Sequence, residues 1–101
     1  MKIPKTIKFS GYNWKVKLIK DKNKDGGGSF TWDDKEIIIN DRYGERECIF
    51  LHELIEALLV ENLVRYYGNE GNTEYKFIFN HTEFTKIIKD LFKVLKDNKL
   101  I

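Results

Sequence analysis

Cys48-Ile49-Phe50-Leu51-His52-Glu53-Leu54-Ile55-Glu56-Ala57-Leu58-Leu59-Val60 is the stretch whose reading decides the fold. Helix formers dominate it, proline is absent, and Gly68 follows as a stop signal, so the pattern predicts a helix over residues 45–66. At about 100° per residue, Ile49, Leu59 and Leu63 project within about 60° of His52, while Phe50, Leu54 and Leu58 project on the far side. A helix that is apolar nearly all round is a core helix packed on more than one side. Its polar residues are His52, Glu53 and Glu56. Burial of an unpaired carboxylate costs several kcal/mol unless it is paired or coordinates a metal, so a small core carrying these three groups on its central helix calls for an explanation.

The segments on either side are β-prone. Ser29-Phe30-Thr31-Trp32 and Lys35-Glu36-Ile37-Ile38-Ile39-Asn40 flank the acidic turn Asp33-Asp34 and predict a hairpin. The run Ile37-Ile38-Ile39 predicts a strand covered on both faces, and Asp41-Arg42-Tyr43-Gly44 leads out of the sheet. Residues 5–20 alternate, with Ile7 and Phe9 on one parity and Trp14, Val16 and Leu18 on one parity after Ser10-Gly11-Tyr12-Asn13, which predicts another hairpin with Lys15 and Lys17 on its solvent face. The stretch from Asp21 to Gly28 reads as a polar, glycine-rich loop. It lacks the GxxxxGK[ST] pattern and following helix of a phosphate-binding loop. Beyond the central helix, Tyr66-Tyr67 is read as covering its end, Gly68 to Asn72 as a loop and Glu74 to Phe79 as a short strand. Asn80-His81-Thr82-Glu83 has the spacing of a capping box, and Phe84, Ile87, Ile88, Leu91, Phe92 and Leu95 recur at helical spacing, so a second helix is expected over 81–97. The expected fold is α+β, a small, mostly antiparallel sheet of two hairpins packed on a central buried helix and a C-terminal helix. It forms one domain over residues 1–101.

Composition excludes several function classes. The chain has 101 residues with 18 Lys+Arg and 16 Asp+Glu, a net charge of +2, which argues against a dedicated nucleic-acid binder. Trp14, Phe30 and Trp32 with Lys15 and Lys17 have the makings of a base-stacking platform, but core or cleft lining is the preferred reading. The lysines of residues 86–99 read as a solvated face. The single cysteine, Cys48, excludes an internal disulfide framework and an all-cysteine zinc site, and is read as a small buried apolar residue. The N-terminal residues show no apolar signal-peptide core, and no run approaches the ~18–20 apolar residues of a membrane span. A cytoplasmic protein without membrane association is expected.

His52 and Glu56 stand at i and i+4, about 40° apart in projection, so their side chains can converge on one point. Glu53 lies about 100° round and can reach a water beside that point. This is the spacing of the HExxH zinc-peptidase helix, with two ligands one turn apart and the intervening glutamate as general base. Here Glu56 stands where the second histidine would, and a carboxylate is an acceptable zinc ligand. Mixed N/O ligation admits other divalent metals as well. A third ligand has to come from elsewhere, with His81 the remaining histidine and Glu83 its alternative. The competing account is an ion pair. Glu56 meets a lysine or arginine of the sheet, Glu53 reaches solvent at the helix edge, His52 is a satisfied core histidine, and Glu83 only caps its helix.

Ile-Ile-Ile-Asn at 37–40, a short connection, Leu-His-Glu-Leu-Ile-Glu-Ala-Leu-Leu at 51–59, and the downstream Asn-His-Thr-Glu-Phe at 80–84 together resemble minimal zincin-like metallopeptidases. Such domains occur among small phage and prophage proteins and in the ImmA/IrrE-like group. The resemblance covers roughly residues 28–95. It implies His52 as a metal ligand, Glu53 as general base, Glu56 in the second-ligand position and His81 or Glu83 as the third, with zinc as cofactor and a peptide or protein as substrate. The departure at Glu56 keeps a second expectation in view: a catalytically inactive relative that docks on a host protein in the host cell cytoplasm. Oligomeric state is not readable from these features.

Overall fold

A two-residue connection begins the sheet. Ser10 and Gly11 hold φ of 56° and 77°, the pair of left-handed residues that a type I′ turn needs. They join β1 (Thr6–Phe9) to β2 (Tyr12–Ile19) with Ile7 opposite Trp14, so Tyr12 and Asn13 belong to the strand and not to the connection. A second hairpin joins β3 (Gly28–Thr31) to β4 (Glu36–Asn40), with Phe30 opposite Ile37. Its turn closes with the Lys35 amide donating to the Trp32 carbonyl at 3.2 Å, and Lys35 takes a φ of 50°. The computed structural model that shows this describes residues 2–21, 27–41, 44–67 and 74–101.

The hairpins join through a parallel seam between β2 and β4, giving the order β1-β2-β4-β3 and a mixed sheet. Both ends of the seam are fastened. The Lys15 amide donates to the Lys35 carbonyl at 2.9 Å. At the other end the buried Asn40 side chain accepts from the Asp21 amide and donates to the Asp21 carbonyl, both at 3.0 Å. Asn40 also donates from its own amide to the Gly27 carbonyl at 2.7 Å. Gly27 and Gly28 are therefore part of the sheet's framework, and the loop expected over 21–28 is shorter at this end. Its residues 22–26 lie outside the described residues.

One face of the sheet carries the core. Ile7, Phe9, Trp14, Val16, Ile37 and Ile39 are buried there against Phe50, Leu54, Ala57 and Leu58 of α1 (Arg46–Glu61) and Val94 of α2 (His81–Asp97). Each large apolar side chain so buried contributes about 1.5–3 kcal/mol. Trp14 is fully buried, stacked on Phe9 at 4.6 Å and edge-on to Trp32 at 5.1 Å, so the aromatic residues are core, as preferred, and no stacking platform. Lys8, Lys15 and Lys17 project from the other face and are exposed, and Ile38 among them is only half-buried. The expected cover on both faces of β4 is not there, because both helices pack on one side of the sheet.

Helix α1 stops at Glu61, earlier than the expected 66. The Leu63 amide donates to the Val60 carbonyl at 3.0 Å and the Val64 amide to the Leu59 carbonyl at 3.1 Å, a Schellman closure with Leu63 at φ 60°. The chain then turns into β5 (Arg65–Tyr67), which pairs antiparallel with β6 (Tyr75–Phe77) in a separate two-stranded arm. Tyr66 and Tyr67 are thus strand residues, and the loop expected over 68–72 lies outside the described residues.

Helix α2 begins and ends where expected. The Glu83 amide donates to Asn80 Oδ1 at 2.9 Å, and the Asn80 amide donates to Glu83 Oε1 at 3.2 Å, which completes the capping box. Its C-terminus is tied to β1 by paired Asn98–Lys8 hydrogen bonds at 2.8 and 2.9 Å. The expected apolar stripe splits. Ile87 is buried and Leu91 and Leu95 half-buried, whereas Phe84, Ile88 and Phe92 are exposed, and Val94, outside that stripe, is buried. The lysines at 86, 89, 93, 96 and 99 are exposed, Lys86 and Lys93 pairing with Asp90 and Asp97 one turn on, as a solvated face does. No helix among the described residues is long and apolar enough to cross a membrane.

Leu63 is 81% exposed and holds a left-handed φ, so it bears backbone strain without packing in return. Leu63→Gly is expected to stabilise the fold by up to about 1 kcal/mol, since glycine's greater freedom in the unfolded chain offsets part of the relief. Thermal unfolding followed by circular dichroism checks this, and an unchanged or lower melting temperature would show that the Schellman turn carries no strain.

Candidate metal centre

Phe50, Glu53, Leu54, Ala57 and Leu58 form the buried stripe of α1, at the i, i+3, i+4, i+7, i+8 spacing of a helix laid on a sheet. Glu53 is therefore carried under the helix and is only 5% exposed, whereas the ion-pair account had it reaching solvent. His52, one residue back, is turned outward with 69% of its side chain exposed, so it is no core histidine. Glu56 lies between the two, with 18% of its side chain exposed.

These three residues come together. Each of His52, Glu53 and Glu56 offers one ligand atom within 4.8 Å of the others. His52 Nε2 lies 3.7 Å from Glu56 Oε2. Around tetrahedral zinc, ligand atoms sit about 3–4 Å apart, so a modest rotamer adjustment suits the cluster to the ion, and its imidazole and carboxylate donors suit zinc chemically. The third ligand expected from α2 does not join them. Glu83 is occupied with its own helix terminus, and His81 is exposed and lines a different cavity, with Thr82, Thr85, Lys86 and Lys89. In the structure the third donor beside His52 and Glu56 is Glu53 itself.

Arg65 is the residue that sequence reasoning missed. Its Nη1 lies 3.8 Å from Glu56 Oε1, and its guanidinium sits over the Tyr75 ring at 4.0 Å and over the Phe30 ring at 5.5 Å. It pins the β5–β6 arm to the sheet and supplies the basic partner that the ion-pair account wanted for Glu56. Continuing the helix to 66 hid it, because that places Arg65 about 180° round from Glu56. The signal that could have found it is Val64-Arg65-Tyr66-Tyr67, a β-branched and aromatic run at odds with a helix.

Gly28 fixes how near the sheet this site lies. A Cβ there would stand 2.8 Å from the Ile38 carbonyl oxygen, 2.8 Å from Ile49 Cγ2 and 3.2 Å from Glu53 Cγ. Two shallow cavities open beside the cluster. One, of about 300 Å³, has His52, Ile55, Glu56, Leu59 and Phe77 in its walls. The other, of about 380 Å³, lies toward Gly27 and Gly28 and is shared by His52 and Glu53 with Cys48 and Glu45. Cys48 is exposed, contrary to the buried apolar role expected of it, because it falls outside the sheet-facing stripe.

Burial pushes the Glu53 carboxyl above the ordinary glutamate value of 4.5, Glu56 pushes the same way, and His52 and Arg65 pull against them. Compared with protein-family profiles, curated proteins and solved structures, the chain matches none.

The raised Glu53 value has a consequence for stability. Below pH 4.5 the carboxyl is protonated in both folded and unfolded chains and its burial goes unpenalised. As pH rises through the folded-state value the buried group must ionise, and that stability is lost. Glu53→Gln removes the titration, so the variant should melt above the metal-free wild type at pH 7. The gap should narrow as pH falls toward 4.5. Melting curves from pH 4 to 8 with chelator present decide it, and a gap independent of pH would contradict the buried, raised carboxyl.

Proposed function

We propose that this chain is a minimal zincin-like hydrolase that cleaves a peptide bond with a divalent metal, zinc first, held by His52 and Glu56 with Glu53 beside it as general base. The observation that carries the reading is Glu53, a carboxylate buried between an exposed imidazole and a second carboxylate on one helix. Zinc in such a setting supplies Lewis acidity and brings the pKa of a coordinated water down toward ~7. His52 and Glu56 are the holding residues. Glu53, with its pKa raised, is suited to take a proton from the attacking water and hand it to the leaving amine nitrogen. The edge strand β3 supports a peptide substrate, since an extended segment can add to an unpaired sheet edge, and Gly28 on that strand borders Glu53. A cytoplasmic setting, in a host cell if the chain is phage-encoded, suits the free, exposed Cys48 thiol.

A second reading is favoured by a specific observation. Arg65 pairs with Glu56, and His81 stands apart, so the group has one fewer free donor than a zincin helix offers. On that reading the domain keeps the groove and docks on a protein without cleaving it.

Two measurements separate these. Zinc bound by the native state alone adds about 2.7 kcal/mol at a hundredfold excess over Kd, so zinc should raise the melting temperature of metal-free protein, and His52→Ala should abolish the rise. Cleavage of a mixed peptide library by the zinc-loaded wild type should fall ~10²–10⁴-fold in Glu53→Gln. A wild type that takes up zinc and cleaves nothing favours the docking module, and one indifferent to zinc overturns the metal-dependent hydrolase.

A further inference from the structure

Helix α2 leaves one face without a partner. Phe84, Ile88 and Phe92 recur every fourth residue and are 45%, 45% and 57% exposed. At about 100° per residue they form one stripe, and the buried Ile87 and Val94 lie about 100–120° to one side of its centre. Phe79, also exposed, stacks on Phe84 at 6.1 Å and carries the apolar surface past the start of the helix. Half-exposed side chains of this size leave roughly 100 Å² each, so the patch comes to roughly 400 Å², an area that on a monomer is often functional. The lysines are spread unevenly around it. Lys86 and Lys93, turned away from the stripe, pair with Asp90 and Asp97 at 3.3 and 2.6 Å. Lys89 and Lys96 lie about 80–100° from the centre of the stripe, on the side away from the core, and form no ion pair with any described residue. Lys96 Nζ stands 6.0 Å over the Phe92 ring, so this charge borders the apolar surface directly. The two are seven residues apart, the interval of the charged flank of a helix pair. The acidic residues of α2, Glu83, Asp90 and Asp97, project about 140–180° from the stripe, so its exposed face carries no carboxylate.

We infer that this face docks an acidic amphipathic helix of another protein. The partner lays its apolar seam along Phe84, Ile88 and Phe92 and sets carboxylates at seven-residue spacing against Lys89 and Lys96. A second copy of this chain is a poorer occupant. Antiparallel two-fold pairing of α2 with itself sets one lysine row beside the other, and the patch is about half of the ~800 Å² per partner that a stable dimer buries. An anionic bilayer is also a poorer match. A helix lying in a membrane surface carries its lysines on both sides of the apolar stripe, whereas here they stand on one side and the folded core on the other. A helix lying alongside α2 needs charge on one flank only. The face shares no residue with the His52, Glu53 and Glu56 cluster, so the inference is independent of the metal.

Two synthetic peptides test this by fluorescence anisotropy, with chelator present. One is a dye-labelled amphipathic helix of three heptads with leucine along its seam and glutamate at the flanking positions. The other is its twin with lysine for glutamate. The wild type should bind the glutamate peptide about tenfold or more tightly than the lysine peptide, and added salt should narrow the gap. Ile88→Gln with Phe92→Gln, both at exposed positions, should weaken binding about tenfold or more. Lys89→Glu with Lys96→Glu should reverse the preference between the peptides. Lys8→Glu with Lys15→Glu, the same change of charge on the outer face of the sheet, should leave it as it was. Equal binding of both peptides, or none of the glutamate peptide, overturns the inference. So does a wild type that sediments as a dimer and is made monomeric by Ile88→Gln with Phe92→Gln, which gives the face to a second copy. Binding to phosphatidylserine vesicles that these two changes abolish, without binding of the glutamate peptide, gives it to a membrane and overturns the inference as well.

Discussion

The closeness of α1 to the edge strand β3 is the constraint on which the candidate site depends. Strand β3 can lie beneath the helix because Gly28 has no side chain, and any Cβ there would run into Ile49 and Glu53. The same approach buries Glu53. A helix set further from the sheet would leave water around that carboxylate, and neither its raised pKa nor its usefulness to a metal would survive. The parallel β2–β4 seam contributes by holding β4 and β3 in register under the helix, with Asn40 fastening the end nearest the glycines.

Charge around the cluster is unbalanced by design of the sequence alone. Glu53 and Glu56 repel, Arg65 supplies one fixed positive charge, and His52 supplies another only when protonated. A divalent cation, on the function proposed above, would offset what the protein leaves uncompensated. It would also compete with Arg65 for Glu56, and Arg65 is held in place by more than that carboxylate, since its guanidinium lies over Tyr75 and Phe30 as well. Moving it away from Glu56 would loosen the arm that these rings anchor.

Features legible in the sequence were those settled within a few residues. The capping box at Asn80 and Glu83, the β1–β2 hairpin (though with a connection two residues shorter than expected) and the β3–β4 hairpin rest on local hydrogen bonds that residue types announce. The convergence of His52, Glu53 and Glu56 follows from helix spacing. What was not legible depends on packing between distant parts. Leu63 ends α1 in a conformation usually left to glycine, so no stop signal marked it. Nothing local says that β2 meets β4 in parallel, that Ile38 faces away from the helices, or that Phe84, Ile88 and Phe92 stay uncovered. The third ligand from α2 failed for the same reason. Its position required two helices to face each other at one level, and α2 packs through Ile87 and Val94 with His81 at its far end.

Glu56 in place of a histidine is at first sight a defect in a zinc-peptidase helix. The geometry gives it another sense. A neutral imidazole at that position would offer Arg65 no opposite charge, and the arm would lose that ion pair with α1. With Glu56 shared with Arg65 at 3.8 Å, the metal proposed above would have to draw that carboxylate off the guanidinium or take it alongside, so the ion pair and the metal call on one side chain. If Glu56 and His52 hold the proposed ion, Glu53 is left free to move a proton, since one carboxylate cannot serve as ligand and base at once.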